Sequence, residues 1–122
     1  MRFVAIYRPK TQHTVPTGED LAAMGRFIGE ALQAGVLLAT EGFGPSSKND
    51  VKVSLEGGEF AVTDGPFSES KEVIGGFAIM QTRTREEMVD WTKRFLRIAG
   101  DGVSEIHQLS DQSPIEMFGG RR

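Results

Sequence analysis

"VKVSLEGGEFAVTD", residues 51–64, decides how the rest of the chain is read. Val51, Val53 and Leu55 alternate with Lys52 and Ser54, and Phe60 and Val62 alternate again after Glu56-Gly57-Gly58-Glu59. Period-two alternation on both sides of a two-glycine turn predicts a β-hairpin, because glycine accepts the positive φ that a tight hairpin turn needs. Such a hairpin closes on itself and can be an insertion. Set aside, it leaves the flanking segments to make the fold.

Upstream, Phe3 to Tyr7 is a short apolar run of strand formers bounded by Arg8-Pro9. Thr17 stands three residues before Asp20, a variant of the capping box, and Leu21, Met24, Ile28 and Ala31 recur at helical spacing until Gly35. "VLLAT", residues 36–40, follows as a buried strand. Downstream, Gly76 to Thr82 reads as a strand, and Thr84 with Glu87 forms a capping box for a second helix. Met88, Trp91, Phe95 and Ile98 are that helix's apolar face, Gly100 ends it, and Val103 to Leu109 is the closing strand. The order is β-α-β-β-α-β with an extra β-hairpin, an α+β ferredoxin-like fold over residues 1–109. Two helices cover one face of a four-stranded sheet. The other face predicts a homodimer packed sheet to sheet, since large exposed apolar patches mark interfaces. Residues 110–122 have no regular pattern, but Pro114, Ile115, Met117 and Phe118 predict a tail that docks on the domain or on the dimer partner.

Composition narrows the function classes. A net charge of −3 carries no basic footprint, so neither nucleic acid nor an anionic membrane surface is expected as a partner. No apolar stretch approaches the roughly 20 residues of a spanning helix. The N-terminal run is too short for a signal-peptide core, and a cytoplasmic location is expected. With no cysteine there is no disulfide, thiolate nucleophile or cysteine metal site. Two well-separated histidines, His13 and His107, give no dedicated metal site, and no cofactor is expected. No nucleophile elbow, Walker loop or dinucleotide fingerprint is present.

Chemistry-bearing residues concentrate in "VTDGPFSESKEVIGGF", residues 62–77. Asp64 can serve as a base or anchor at a pocket mouth; Asp-Gly is equally a preferred turn pair. Glu69, Lys71 and Glu72 form either a solvated ion-pair cluster or a charged lip, with Lys71 pairing Asp64 or holding an anionic ligand. Phe67 is expected to pin the loop by inserting into the core, with Pro66 stiffening its approach. Glu41, at the exit of the second strand, either caps the following loop or enters the cavity. On the closing strand Glu105 and His107 share a face, as a proton-transfer pair or as a polar surface.

"AGVLLATEGFGPS", "VTDGPFSESKEVIGGF" and the capped second helix resemble, in order and spacing, the DGPF subgroup of the YCII-related proteins. The resemblance covers about Arg2 to Leu109. It implies a ferredoxin-like subunit in a dimeric α+β barrel, with a cavity between sheet and loops, and it implies no settled activity. Better-known YCII-like proteins are proposed to use a His-Asp pair whose His lies on the first helix. Here that helix has no His, and Met24 lies near where it would fall. Two functional classes stay open. One is a small-molecule enzyme or binder doing acid-base chemistry of lyase or isomerase type. Its candidate catalytic residues are Asp64 and His107, and Glu41, Asp64, Phe67, Glu69 and Lys71 would surround a small polar or anionic ligand. The other is a non-catalytic regulatory or interaction protein, in keeping with the family's association with extracytoplasmic-function sigma factors.

Overall fold

The computed structural model describes residues 1–10, 17–44, 46–67 and 74–119. Strand β1 (Arg2–Pro9) is followed by helix α1 (Gly18–Gln33) and β2 (Leu37–Gly42). The hairpin β3 (Val51–Glu56) and β4 (Glu59–Asp64) comes next, then β5 (Gly76–Gln81), helix α2 (Arg85–Ala99) and β6 (Gly102–Gln108). The main sheet runs β2-β5-β1-β6 and is antiparallel throughout. This is the ferredoxin-like β-α-β-β-α-β arrangement, and the hairpin stands apart from it as a separate two-stranded sheet. Strand ends differ from the sequence reading by a residue or two. Backbone pairing continues past the apolar run of β1 as far as Pro9 opposite Gly102.

Both helices begin as their caps predict, with an inversion of quality. The Thr17 hydroxyl accepts from the Asp20 N–H at 3.1 Å and the Asp20 carboxylate accepts from the Thr17 N–H at 3.0 Å, so the shorter acid closes the full box. At α2 the Thr84 hydroxyl accepts from the Glu87 N–H at 3.1 Å.

Alternation along β1 turns Phe3 and Ala5 toward the helices, where they join Val36, Met80 and Met88 in the core. Val89, Trp91 and Ile106 pack against that cluster. Arg94 of α2 reaches across to α1, pairing with Glu30 and lying over the rings of Phe27 and Trp91. Its guanidinium thereby ties the two helices together over the sheet.

At the hairpin tip Gly57 and Gly58 take φ of 58° and 82°, the left-handed values that a two-residue turn requires. At its base Gly65 donates to the Asp50 carbonyl at 2.7 Å. A Cβ at Gly65 would run into the Ser47 carbonyl oxygen and come within 2.9 Å of the Asp50 Cβ. Glycine is needed there for close approach. After β6 the chain makes a single π-helical turn, Ile115–Gly119.

A candidate binding cavity between sheet and helices

Small residues on the strands and large ones on the helices leave a gap between the layers. Ala5, Gly76 and Ala78 form the floor, contributed by β1 and β5. Met24, Phe27 and Ile28 of α1 and Trp91 and Phe95 of α2 form the roof. The cavity has a volume of about 340 Å³, within the lower range of small-molecule sites. Because α1 is held off the sheet, Met24, Phe27 and Ile28 are half-buried and Ala31 is its buried residue.

The walls are mainly aromatic. Tyr7 and Phe95 meet edge to face with ring centroids 5.1 Å apart, and Phe27 lies 5.8 Å from Trp91 and 6.4 Å from Phe95. Polar groups are few: Tyr7, Thr40, Glu41, Thr92 and Ser104. Two hydroxyls are already committed to backbone acceptors, Thr92 to the Met88 carbonyl and Thr40 to the Phe77 carbonyl, each at 2.9 Å. The Tyr7 hydroxyl makes a long bond of 3.4 Å to the Gly100 carbonyl. Burial, and secondarily the charge of Asp101, raise the pKa of Tyr7, so at neutral pH it is a hydrogen-bond donor.

The residues singled out in the sequence fall in separate places. Glu41 borders the cavity on β2. Its register partner is Phe77, in the alternation that faces away from the helices. Asp64 is exposed at the end of β4, opposite Val51. Phe67 does not insert into the core: it is half-buried, with the Lys52 Nζ 4.7 Å from its ring centroid. The base of the hairpin stands away from the helix-covered core, so Phe67 has nearer company in Lys52 and in Ser46, whose hydroxyl accepts its N–H at 2.6 Å. Glu69, Lys71, Glu72 and His13 lie outside the described residues.

His107 and Glu105 do share a face, and their side chains hydrogen-bond at 2.8 Å. Both are more than half exposed, and Arg8 approaches Glu105 at 3.9 Å. The hydrogen bond from His107, then the charges of Arg8 and His107, lower the Glu105 pKa. Register partners Val4 and Ile6 put this cluster on the sheet face opposite to the cavity. Asp64, His107 and Glu41 therefore form no common constellation. Among the described residues no group of His and carboxylates has metal-binding geometry.

Sequence reasoning missed Tyr7, Phe27 and Thr40 as lining residues and read Trp91 and Phe95 only as the core face of α2. The signal was present for Tyr7, which continues the Phe3, Ala5 alternation. Nothing in the sequence announced that Ala5 and Ala78 would face the same space. Met24 of α1 borders the cavity.

No curated protein matches this chain. The YCII-related domain matches residues 1–111, nearly all of the 122-residue chain, and with its strand order and helix placement the chain belongs to the YCII-related family.

Proposed function

We propose that this protein binds a small molecule in the cavity between the sheet and the two helices. The observation that carries this reading is the combination of small residues beneath and aromatic residues above an open volume of about 340 Å³. A ligand suited to that lining has a mainly apolar, ring-sized body, with one polar end near Tyr7. The anionic partner expected from Lys71 depends on a loop outside the described residues. Within the family we assign the chain to the DGPF subgroup on its Asp64-Gly65-Pro66-Phe67 element, and we infer a cytoplasmic homodimer joined through the sheet face that carries Val4, Ile6, Phe77 and Ile79.

Binding without turnover is the reading we favour over lyase or isomerase chemistry. A raised pKa makes Tyr7 a donor and a poor base at neutral pH, and Met24 replaces the expected His. That also fits a regulatory protein associated with sigma factors, which senses its ligand.

Trp91 is the sole tryptophan and lines the cavity, so its fluorescence reports occupancy. Titration with substituted phenols and benzoates should give a saturable change in wild type, and Ala78→Leu, which fills the floor, should abolish it. A response that persists unchanged in Ala78→Leu removes the cavity from the binding site.

A further inference from the structure

The fold clamps the ring of Tyr7 from several sides. It lies between the backbones of Gly75, just before β5, and Gly102, at the start of β6. A Cβ at Gly75 would come within 3.1 Å of the Tyr7 Cδ2, and one at Gly102 within 2.7 Å of Cε1 on the opposite edge of the ring. Glycine at both positions makes the slot. Phe95 closes it from the helix layer, edge to face. The Gly75 N–H also donates to the Tyr7 carbonyl at 2.7 Å, which fixes the strand that carries the ring. A side chain with few torsions, wedged in this way, holds its hydroxyl in place before any ligand arrives.

That hydroxyl is underused. Its 3.4 Å bond to the Gly100 carbonyl is longer than the roughly 2.5 to 3.0 Å of a normal O–H···O contact, so an oxygen held inside the cavity is the better acceptor. The Thr40 and Thr92 hydroxyls already donate to backbone carbonyls. Charge decides what kind of oxygen Tyr7 receives. Burial, and after it the negative charge of Asp101, keep the Tyr7 proton on. The described lining residues include no Lys, Arg or His. Lys10, Lys93 and Arg97 line a separate open cleft around Gly100 and Asp101 and are exposed to solvent. A carboxylate drawn into an aromatic enclosure without a paired cation loses its hydration uncompensated. A carbonyl oxygen accepts the same bond without that penalty.

We propose that Tyr7 is the specificity-determining donor of the cavity, and that the ligand is an uncharged ring compound whose carbonyl oxygen accepts its hydrogen bond. The assignment rests on the cavity reading above and adds the chemistry of the ligand's polar end. The ring body lies among Phe27, Trp91 and Phe95, which offer it aromatic faces and edges. Ser104, opposite Tyr7 in the β1–β6 register, brings a second hydroxyl to the lining.

Probes of one outline separate the contributions: acetophenone carries a carbonyl, cumene has no acceptor, and benzoate bears a charge. In the isotopically labelled full chain at neutral pH, the indole N–H resonance of Trp91, the sole tryptophan, reports occupancy for each. Tyr7→Phe should weaken acetophenone about five-fold, the net value of one hydrogen bond, and leave cumene within about two-fold. Comparing the two proteins on the same probe cancels the probes' own differences in hydrophobicity. Benzoate should bind wild type at least about ten-fold more weakly than acetophenone. Equal losses for acetophenone and cumene, or no loss for either, overturn the assignment to Tyr7; the cavity reading then stands if Ala78→Leu abolishes the shifts. Benzoate binding as tightly as acetophenone overturns the uncharged ligand. If no probe moves the Trp91 resonance, or if Ala78→Leu leaves the shifts unchanged, the cavity reading falls and the assignment falls with it.

Discussion

Tyr7 of β1 meets Phe95 of α2 edge to face, ring centroids 5.1 Å apart at an interplanar angle of 89°. That contact closes one side of the cavity and sets the Tyr7 hydroxyl against the Gly100 carbonyl at the end of α2. Replacing Tyr7 with Phe keeps the aromatic contact and deletes only the hydroxyl. A bond of 3.4 Å at an exposed position belongs at the weak end of the usual range, so Tyr7→Phe should cost no more than about 0.5 kcal/mol in urea unfolding. Affinity for a cavity ligand should fall more than stability does, because the variant removes the principal donor.

The same residue gives an alkaline signature. Its folded pKa lies above the ordinary value of about 10, through burial first and Asp101 second. The unfolded chain then releases the proton at lower pH than the folded chain does. Tyr7 thus contributes stability that is full below about pH 10 and is lost as pH rises through its folded pKa. In thermal melts the fall of Tm above pH 10 should be shallower in Tyr7→Phe than in wild type. Parallel curves would show that Tyr7 ionises alike in both states.

An opposite sign applies at Glu105. The hydrogen bond from His107, followed by Arg8, lowers its folded pKa below the usual carboxylate value. Its contribution is present above the unfolded pKa and disappears as pH falls through the lowered folded one. Glu105→Gln should therefore flatten the acid limb of the stability curve below about pH 4.5. The group is exposed, and the difference should shrink further in 0.5 M salt. An acid limb identical in both proteins would detach the pair from stability altogether.

How much of this was legible beforehand differs by kind of feature. The hairpin was written in two signals that reinforce each other, alternation and a Gly57-Gly58 turn, and strand order then followed from counting elements. The cavity was not legible, because it depends on what faces what across layers: Ala78 is just another apolar letter until Phe27 and Trp91 stand over it. Charge density drew the eye to Asp64, whereas the carboxylate that organises the hairpin root is Asp50, at the end of an unremarkable "SSKND". Its partners, Ser46 and Ser47, precede it by four and three residues, a spacing common to many polar loops. The Glu105–His107 pair was found because both lie on one strand, where alternation dictates a shared face.

The cap at α2 can be tested by itself. Thr84 accepts from the Glu87 N–H, one of the donors that the first helical turn leaves without an internal partner. Thr84→Ala should cost about 1 kcal/mol, whereas Thr84→Ser, which keeps the accepting hydroxyl, should be nearly neutral. If Ala and Ser behave alike, the first turn of α2 is held by packing through Met88 and not by its cap.

Asp50 and Asp64 sit on either side of the same root and should behave in contrasting ways. Asp50 collects the Ser46 and Ser47 donors, and these bonds lower its pKa, the Ser46 hydroxyl contributing most. Asp50→Ala removes all of them and frees the loop that approaches Gly65. Asp50→Asn keeps one acceptor oxygen and should retain part of the effect. Asp64→Asn preserves the local turn bonds that an Asx side chain makes before glycine and should leave the hairpin intact. Amide exchange of the β3–β4 ladder reads the difference directly, since protection there depends on a root that stays closed. Exchange should quicken strongly in Asp50→Ala, modestly in Asp50→Asn and hardly at all in Asp64→Asn. The acid limb should follow the same order, because a lowered pKa at Asp50 means stability that is present above the ordinary carboxylate range and lost as pH falls through the folded value. Should Asp64→Asn open the ladder as far as Asp50→Ala does, the Asp64 carboxylate is a structural anchor, and its place in a ligand site loses its support.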